Sequence, residues 1–242
     1  MFPVIDDWEA FKQRVELICG LILDGISGKT HLVSTDEKTG IQALERTIVY
    51  SKGNQRTEYE YRRNGTICLL AAFDVGKGVM MDHLLRDTRK EPDYLELVQS
   101  LVSKYPAQDE VVILADQLNT HMSASLVEWI AGEIGFEGEL GKKRGKGILK
   151  SMKSRKEFLE DTSHRIRFVY TPKHCSWLNP VENWFAKLQK QVINRGSFAS
   201  VEQLCHKIEA YIDYYNTALV KPLKWKFNGF TKDHKLHQIN SQ

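Results

Sequence analysis

The stretch that most constrains the fold is a strand feeding directly into a helix: R-I-R-F-V-Y-T-P-K-H-C-S-W-L-N-P-V-E-N-W-F-A-K-L-Q-K-Q-V, from Arg165 to Val192. Ile166, Phe168 and Tyr170 share one parity, the period of a half-buried strand. The pattern breaks at Thr171-Pro172 and crosses a loop holding Lys173, His174, Ser176 and Trp177. It restarts as a helix at Asn179-Pro180, since Asn is a favoured N-cap and Pro is pre-set for the first helical position. Glu182 then stands at the third helical position, aimed at the C-terminal edge of the strand, where α/β sheets usually hold their ligands. The same position belongs to the partner residue of a capping box. On this stretch alone, capping and catalysis stand about even.

The rest of the chain supplies the sheet. Asp6 or Asp7 caps a first helix with Trp8, Phe11, Val15, Ile18 and Ile22 at helical spacing, ended by Gly25, Ser27 and Gly28. His31 to Glu37 reads as a short strand with two adjacent acids at its end. Ser51 to Thr57 reads as a polar loop, Thr57 to Tyr61 as strand, and Arg62-Arg63-Asn64-Gly65 as a turn. Thr66 to Phe73 is a buried strand, Asp74 to Gly78 a hairpin turn and Val79 to Leu84 the return strand. Pro92 opens a helix closed by Pro106. Val111 to Ala115 is a compact apolar strand ending at Asp116, and Thr120 caps a helix through Ile130. An irregular basic segment follows from about Gly132 to Ser163, with one short helix near Glu157. A last helix begins at Ser200, with Gln203 as its capping-box partner. A meander followed by strands alternating with helices predicts an α/β fold with a five-stranded mixed sheet flanked by helices. That is the element order of the ribonuclease H-like fold, here with an insertion before the last strand.

Several function classes fall away. No apolar run approaches the ~20 residues of a membrane span, and Asp6, Asp7 and Glu9 interrupt any signal-peptide pattern. Cys19, Cys68, Cys175 and Cys205 lie far apart without metal-ligand spacing, as expected of reduced thiols in a cytoplasmic protein. The net charge of +3 identifies no partner, but its distribution is informative. Lys142, Lys143, Arg144, Lys146, Lys150, Lys153, Arg155 and Lys156 form a run with no acid between them. Such a run suits either a solvated loop or the phosphates of nucleic acid.

Three acids occupy comparable places: Asp36 ending the first strand, Asp116 ending the fourth, and Glu182 just after the fifth. If those strands are neighbours, the three carboxylates converge. Hard oxygen donors of this kind suit Mg²⁺ or Mn²⁺. Two such ions ~3.5–4 Å apart stabilise both the attacking and the leaving oxygen of an in-line displacement at phosphorus.

The blocks S-T-D-E-K-T-G-I-Q-A-L-E-R around Asp36, L-A-D-Q-L-N-T-H around Asp116 and T-P-K-H-C-S-W-L-N-P-V-E-N-W-F around Glu182 resemble the three signature blocks of insertion-sequence transposases. Those enzymes form the mariner-type branch of the DDE superfamily, with the ribonuclease H and integrase fold. Y-R-R-N-G-T, A-A-F-D-V-G-K-G and R-G-S-F-A-S-V also match that pattern. The resemblance implies Mg²⁺- or Mn²⁺-dependent DNA strand cleavage and strand transfer, with Asp36, Asp116 and Glu182 as a triad holding two ions. It implies DNA partners, both element ends and target, and a homodimer in a synaptic complex. It divides the chain into an N-terminal helix and linker (1–30), a catalytic domain (31–220, insertion about 133–163) and a basic, aromatic tail (221–242). Sixty-five residues separate Asp116 from Glu182, more than is usual in this branch. Only about thirty residues precede the first block, so the helix-turn-helix region usual in the family is expected in a separate reading frame or partner chain, or lost.

The remaining candidates carry two readings each. Glu37 points to the opposite strand face from Asp36 and is expected to make a structural hydrogen bond. Asn119, His121, Lys173 and His174 surround the expected site as DNA contacts or as plain hydrogen bonders. Lys142, Lys143, Arg144, Lys187 and Arg195 form basic edges that suit DNA or solvent. Trp177 either stacks on a base or plugs the core, the second being favoured, while Trp184, Phe185 and Leu188 are core residues. Two rivals to the transposase reading stay open: a nuclease without strand transfer, and a catalytically silent DNA-binding subunit.

Overall fold

The computed structural model describes residues 5, 7–23, 29–51, 54–221, 223–227 and 229–230. Among them five strands form one sheet in the order β3-β2-β1-β4-β5, from β1 (Thr30–Ser51), β2 (Asn54–Asp74), β3 (Val79–Arg86), β4 (Glu110–Ala115) and β5 (Ile166–Tyr170). The first three pair antiparallel, while β1–β4 and β4–β5 are parallel, giving the mixed sheet expected from a meander followed by alternating helices. No helix among the described residues is long and apolar enough to cross a membrane.

The strand period of two sorts the apolar residues to two faces. Leu32, Leu69, Ala71, Phe73, Val112, Leu114 and Val169 pack with α1 (Trp8–Leu23), α5 (Val181–Leu188) and α6 (Val201–Tyr214). Val33, Leu70, Ala72, Val111, Ile113, Ile166, Phe168 and Tyr170 pack with α2 (Glu91–Ser103), α3 (Ala124–Glu133) and α4 (Met152–Leu159). The centre of the sheet is thus buried on both sides, as parallel strands with helical crossovers require. The caps at Ser200 and Asp7 form: Ser200 Oγ accepts from Gln203 N at 3.2 Å and Asp7 Oδ1 from Ala10 N at 2.9 Å. Asp6, Gly25, Ser27 and Gly28 lie outside the described residues.

Four local expectations are corrected. The described residues of two polar stretches, Ser51 with Asn54–Thr57 and Arg62–Gly65, are strand rather than a loop and a turn, while Lys52 and Gly53 lie outside the described residues. β1 and β2 run on as a long ribbon whose pairing extends from Val33–Asp74 to Ser51–Asn54. Register shifts between Lys38 and Ile41, Gln42 and Leu44, and Arg46 and Ile48 interrupt that pairing, with Gly40 at φ +63° inside the first. Bulges of this kind let turn-like sequence remain in a strand. α3 is capped by Ser123 rather than Thr120. Residues Asn119–Met122 form a 3₁₀ turn, and Ser123, with extended backbone, accepts from Leu126 N at 3.2 Å. The basic insertion is packed rather than wholly irregular, because Leu149, Phe158 and Leu159 join the second core and α4 supplies the short helix expected near Glu157. Trp177 is 47% exposed and meets Phe227 edge to face at 5.3 Å, so it does not plug the core. Leu223, Trp225, Phe227 and Phe230 of the tail pack against the first core.

Candidate active site

The parallel register of β1 and β4 runs from Thr30–Glu110 to Ser34–Leu114. Continued by two residues, it sets Asp36 beside Asp116 at the C-terminal edge of the two central strands. Adjacent strands lie ~4.8 Å apart, so two carboxylates far apart in sequence become neighbours. Asp36 shares strand parity with Leu32 and Ser34 and belongs to the face covered by α5, the helix that carries Glu182. Asp36 does not end its strand, since β1 runs fifteen residues further; it sits where β1 outlasts its pairing with β4.

The start of α5 is clamped to β1 by an unexpected use of Asn179. The helix begins at Val181, and Pro180 already has helical angles (φ −57°, ψ −29°), which puts Glu182 in the first turn. The Asn179 side chain does not cap it. It is wholly buried; its Nδ2 donates to Thr35 O at 2.9 Å and to Asp36 Oδ2 at 3.1 Å, while its Oδ1 accepts from Ser34 Oγ. Ser34 Oγ in turn accepts from Val181 N at 2.8 Å. The amide is drawn off the helix because β1 would otherwise leave buried oxygens without donors. Glu182 makes no capping-box hydrogen bond, leaving its carboxylate uncommitted. Asn179→Ala is expected to lower stability by about 2 kcal/mol, since it strands buried polar groups. Thermal unfolding measures this, and an unchanged melting temperature would refute the clamp.

The three acids affect one another's ionisation. Burial pushes the Asp36 carboxyl up to about 7, with the charges of Asp116, Glu37 and Glu182 acting in the same direction against a backbone hydrogen bond from Glu37. Burial also raises Glu182, aided by Asp116 and opposed by Lys38. Burial acts on Asp116 as well, but the hydrogen bond and charge of His121 outweigh it and hold that carboxyl below its ordinary value. Among the described residues no three acidic, His or Cys side chains close into a ready-made cage. An open set of oxygen donors with unshared lone pairs is nevertheless the kind that holds a hard divalent cation together with water and phosphate oxygens.

The other candidates separate by exposure. His121 is wholly buried and turned inward, so it is not a surface contact for DNA: its ring nitrogens face Asp116 Oδ1 and Glu37 Oε1, each at 2.8 Å. Glu37 has the structural partner its parity foretold. Asn119, Lys173, His174, Lys142, Lys143, Arg144, Lys187 and Arg195 are all exposed. His174 and Arg144 have φ +61°, a strained region for residues with side chains. Lys187 Nζ lies 5.3 Å from the centroid of the Tyr215 ring. Sequence reasoning missed Ser34, Thr35 and Tyr94. The signal was two hydroxyl residues in an apolar strand; Thr35 Oγ1 and Tyr94 Oη are 2.8 Å apart beneath the site.

Comparison with known proteins bears on the fold and the family. Similar solved structures include the Mos1 mariner paired-end complex with Mn (15% identity, TM-score 0.51, 88% of this chain and 59% of that one). They also include a pre-cleavage Mos1 transpososome (14%, 0.53, 88% and 60%) and the Mos1 strand transfer complex (15%, 0.51, 90% and 59%). The chain therefore spans about three fifths of the Mos1 chains it matches, and at this identity the likeness establishes the fold. A search of curated proteins returns no match. The integrase core domain family matches residues 182–229, and the DDE superfamily endonuclease family matches residues 31–205. With that match covering most of its length and a ribonuclease H-like sheet beneath it, the chain belongs to the DDE endonuclease superfamily.

Proposed function

We propose that the chain is the catalytic domain of a mariner-type DNA transposase, which cuts DNA strands and joins the resulting 3′ ends to target DNA. The observation that carries this reading is the register that sets Asp36 beside Asp116, with Glu182 held over the same strand face by the Asn179 clamp. Asp36, Asp116 and Glu182 are the residues that would hold Mg²⁺ or Mn²⁺. The bound cation supplies charge neutralisation at phosphorus and eases ionisation of the attacking water or hydroxyl. The chain's own part is to fix the three carboxylates before substrate arrives. The exposed Asn119, Lys173 and His174 flank these carboxylates in sequence and suit the DNA backbone there, while Lys142, Lys143, Arg144, Lys187 and Arg195 extend the basic surface. The Mos1 relatives are paired-end and strand transfer complexes. A homodimer joining two DNA ends is proposed for this chain. The test uses pre-cut DNA ends with Mg²⁺ and plasmid target. Joined products support a transposase, whereas shortened fragments alone identify a nuclease without strand transfer.

The ionisation of Asp36 yields a second test. Its carboxyl titrates near 7 in the fold and at an ordinary value of 3.8 when free. Raised in the fold, it contributes stability that is complete below about pH 4 and lost as pH rises through about 7. A cation competes with that proton for the same oxygens. The rise in melting temperature caused by Mn²⁺ is therefore expected to be larger at pH 8 than at pH 6, with affinity about tenfold weaker at the lower value. An equal rise at both would remove Asp36 from the cation site.

A further inference from the structure

His121 stands between two acids with different exposure. Nδ1 lies 2.8 Å from Asp116 Oδ1 and 3.2 Å from the Asp116 carbonyl oxygen, and Nε2 lies 2.8 Å from Glu37 Oε1. The His121 side chain is 0% exposed and that of Glu37 2%, whereas that of Asp116 is 42% exposed. One flank of the ring packs on Tyr94, with centroids 4.1 Å apart. The ring therefore has a fixed position, a fixed orientation and an acceptor at each nitrogen.

The consequence falls on Asp116. Its Oδ1 accepts from the Leu118 backbone N–H at 2.9 Å and lies 2.8 Å from His121 Nδ1, whose hydrogen bond reaches the Asp116 carbonyl oxygen at 3.2 Å. One oxygen of Asp116 is thereby engaged by the protein, while the side chain as a whole stays 42% exposed. Glu37 comes from the residue after Asp36 on the same strand, so one dipeptide supplies an acid to each side of the sheet. A buried carboxylate and imidazole are costly to desolvate, and an apolar pair would fill the same space. Their use here is explained if the orientation of Asp116 depends on them.

We propose that Glu37 and His121 are positioning residues: Glu37 fixes the imidazole, and the imidazole pins Asp116 so that only Oδ2 is presented to a divalent cation. The inference rests on the reading of Asp116 as a cation ligand. Such partners behind a ligand typically change metal affinity or activity by 10–100-fold when removed.

The experiment compares the parent with Glu37→Met/His121→Phe, Glu37→Gln and Asp116→Asn. The double variant replaces both buried groups with apolar ones and so strands neither, which keeps the fold. Mn²⁺ binding is measured by calorimetry on the chain alone, and kcat and KM are measured for cleavage of a DNA substrate. The double variant is expected to remain folded, to bind Mn²⁺ about 10–100-fold more weakly and to lose kcat in the same range, with KM for DNA within about threefold. Glu37→Gln retains an acceptor for Nε2 and is expected to recover most of that loss. A double variant with parent-like Mn²⁺ affinity and kcat overturns the proposal. So does a Glu37→Gln variant as impaired as the double one, because orientation alone would then not be the cause. Parent-like Mn²⁺ binding and cleavage in Asp116→Asn marks a different failure, that of the cation-site reading itself, and this inference falls with it.

Discussion

Asp116→Asn is expected to lower divalent-metal-dependent DNA strand cleavage by about a thousandfold or more while the chain stays folded and binds DNA. The magnitude follows from the several kcal/mol that a bound cation contributes at a reacting phosphorus, about 4 kcal/mol being a thousandfold. Asn keeps the shape of the side chain and an oxygen for the Leu118 N–H, which Asp116 Oδ1 accepts at 2.9 Å. The loss is of charge at the open oxygen rather than of packing, since the Asp116 side chain is 42% exposed. Cleavage of labelled DNA, circular dichroism and a DNA-binding titration together measure this. Parent-level cleavage would exclude Asp116 from the chemistry, and a loss of DNA binding equal to the loss of cleavage would make its role one of docking.

The second large effect belongs to Trp184, two residues beyond Glu182. Its side chain is 1% exposed and its ring centroid lies 5.7–6.1 Å from those of Phe185, Tyr211 and Tyr215. Truncation to Ala removes the largest fully buried side chain among the described residues and leaves a cavity between α5 and α6. The expected cost is about 3–5 kcal/mol, roughly a 10 °C fall in melting temperature for a chain of this size. Trp184→Phe should retain about half of that stability. Because α5 also carries Glu182, cleavage should fall with stability in the Ala variant even below its melting temperature. A variant that melts as the parent does would mean that α5 is held mainly by the Asn179 clamp.

The parts legible in the sequence were those with a local physical signature. A compact apolar run marked β4, alternating apolar residues marked β5, and helical spacing marked α1, α2 and α6. The three short blocks that carry Asp36, Asp116 and Glu182 named the family before any geometry. The β1–β2 ribbon was not legible, because its Gly, Asn and Arg residues look like turn punctuation and its pairing is broken by register shifts that no local pattern announces. Ser123 was passed over for Thr120 because a cap is chosen by backbone geometry, which residue type alone does not specify. Trp177 looked like core on hydrophobicity, yet its loop turns Cys175 and Leu178 into the first core and leaves Trp177 47% exposed.

The amino-acid sequence by itself determined the order of elements, the apolar faces and the identities of the three acids, since each depends on neighbours along the chain. Tertiary structure alone decided what those acids do to one another. The parallel register brings Asp36 to Asp116. Asn179 leaves the helix end for β1 because buried strand oxygens there need donors, and His121 turns inward because Glu37 and Asp116 meet its two nitrogens. The Glu37–His121 and Asp36–Asn179 contacts span 84 and 143 positions of sequence. No local pattern encodes such a contact, and the burial it produces, rather than residue type, carries the Asp36 carboxyl to about 7.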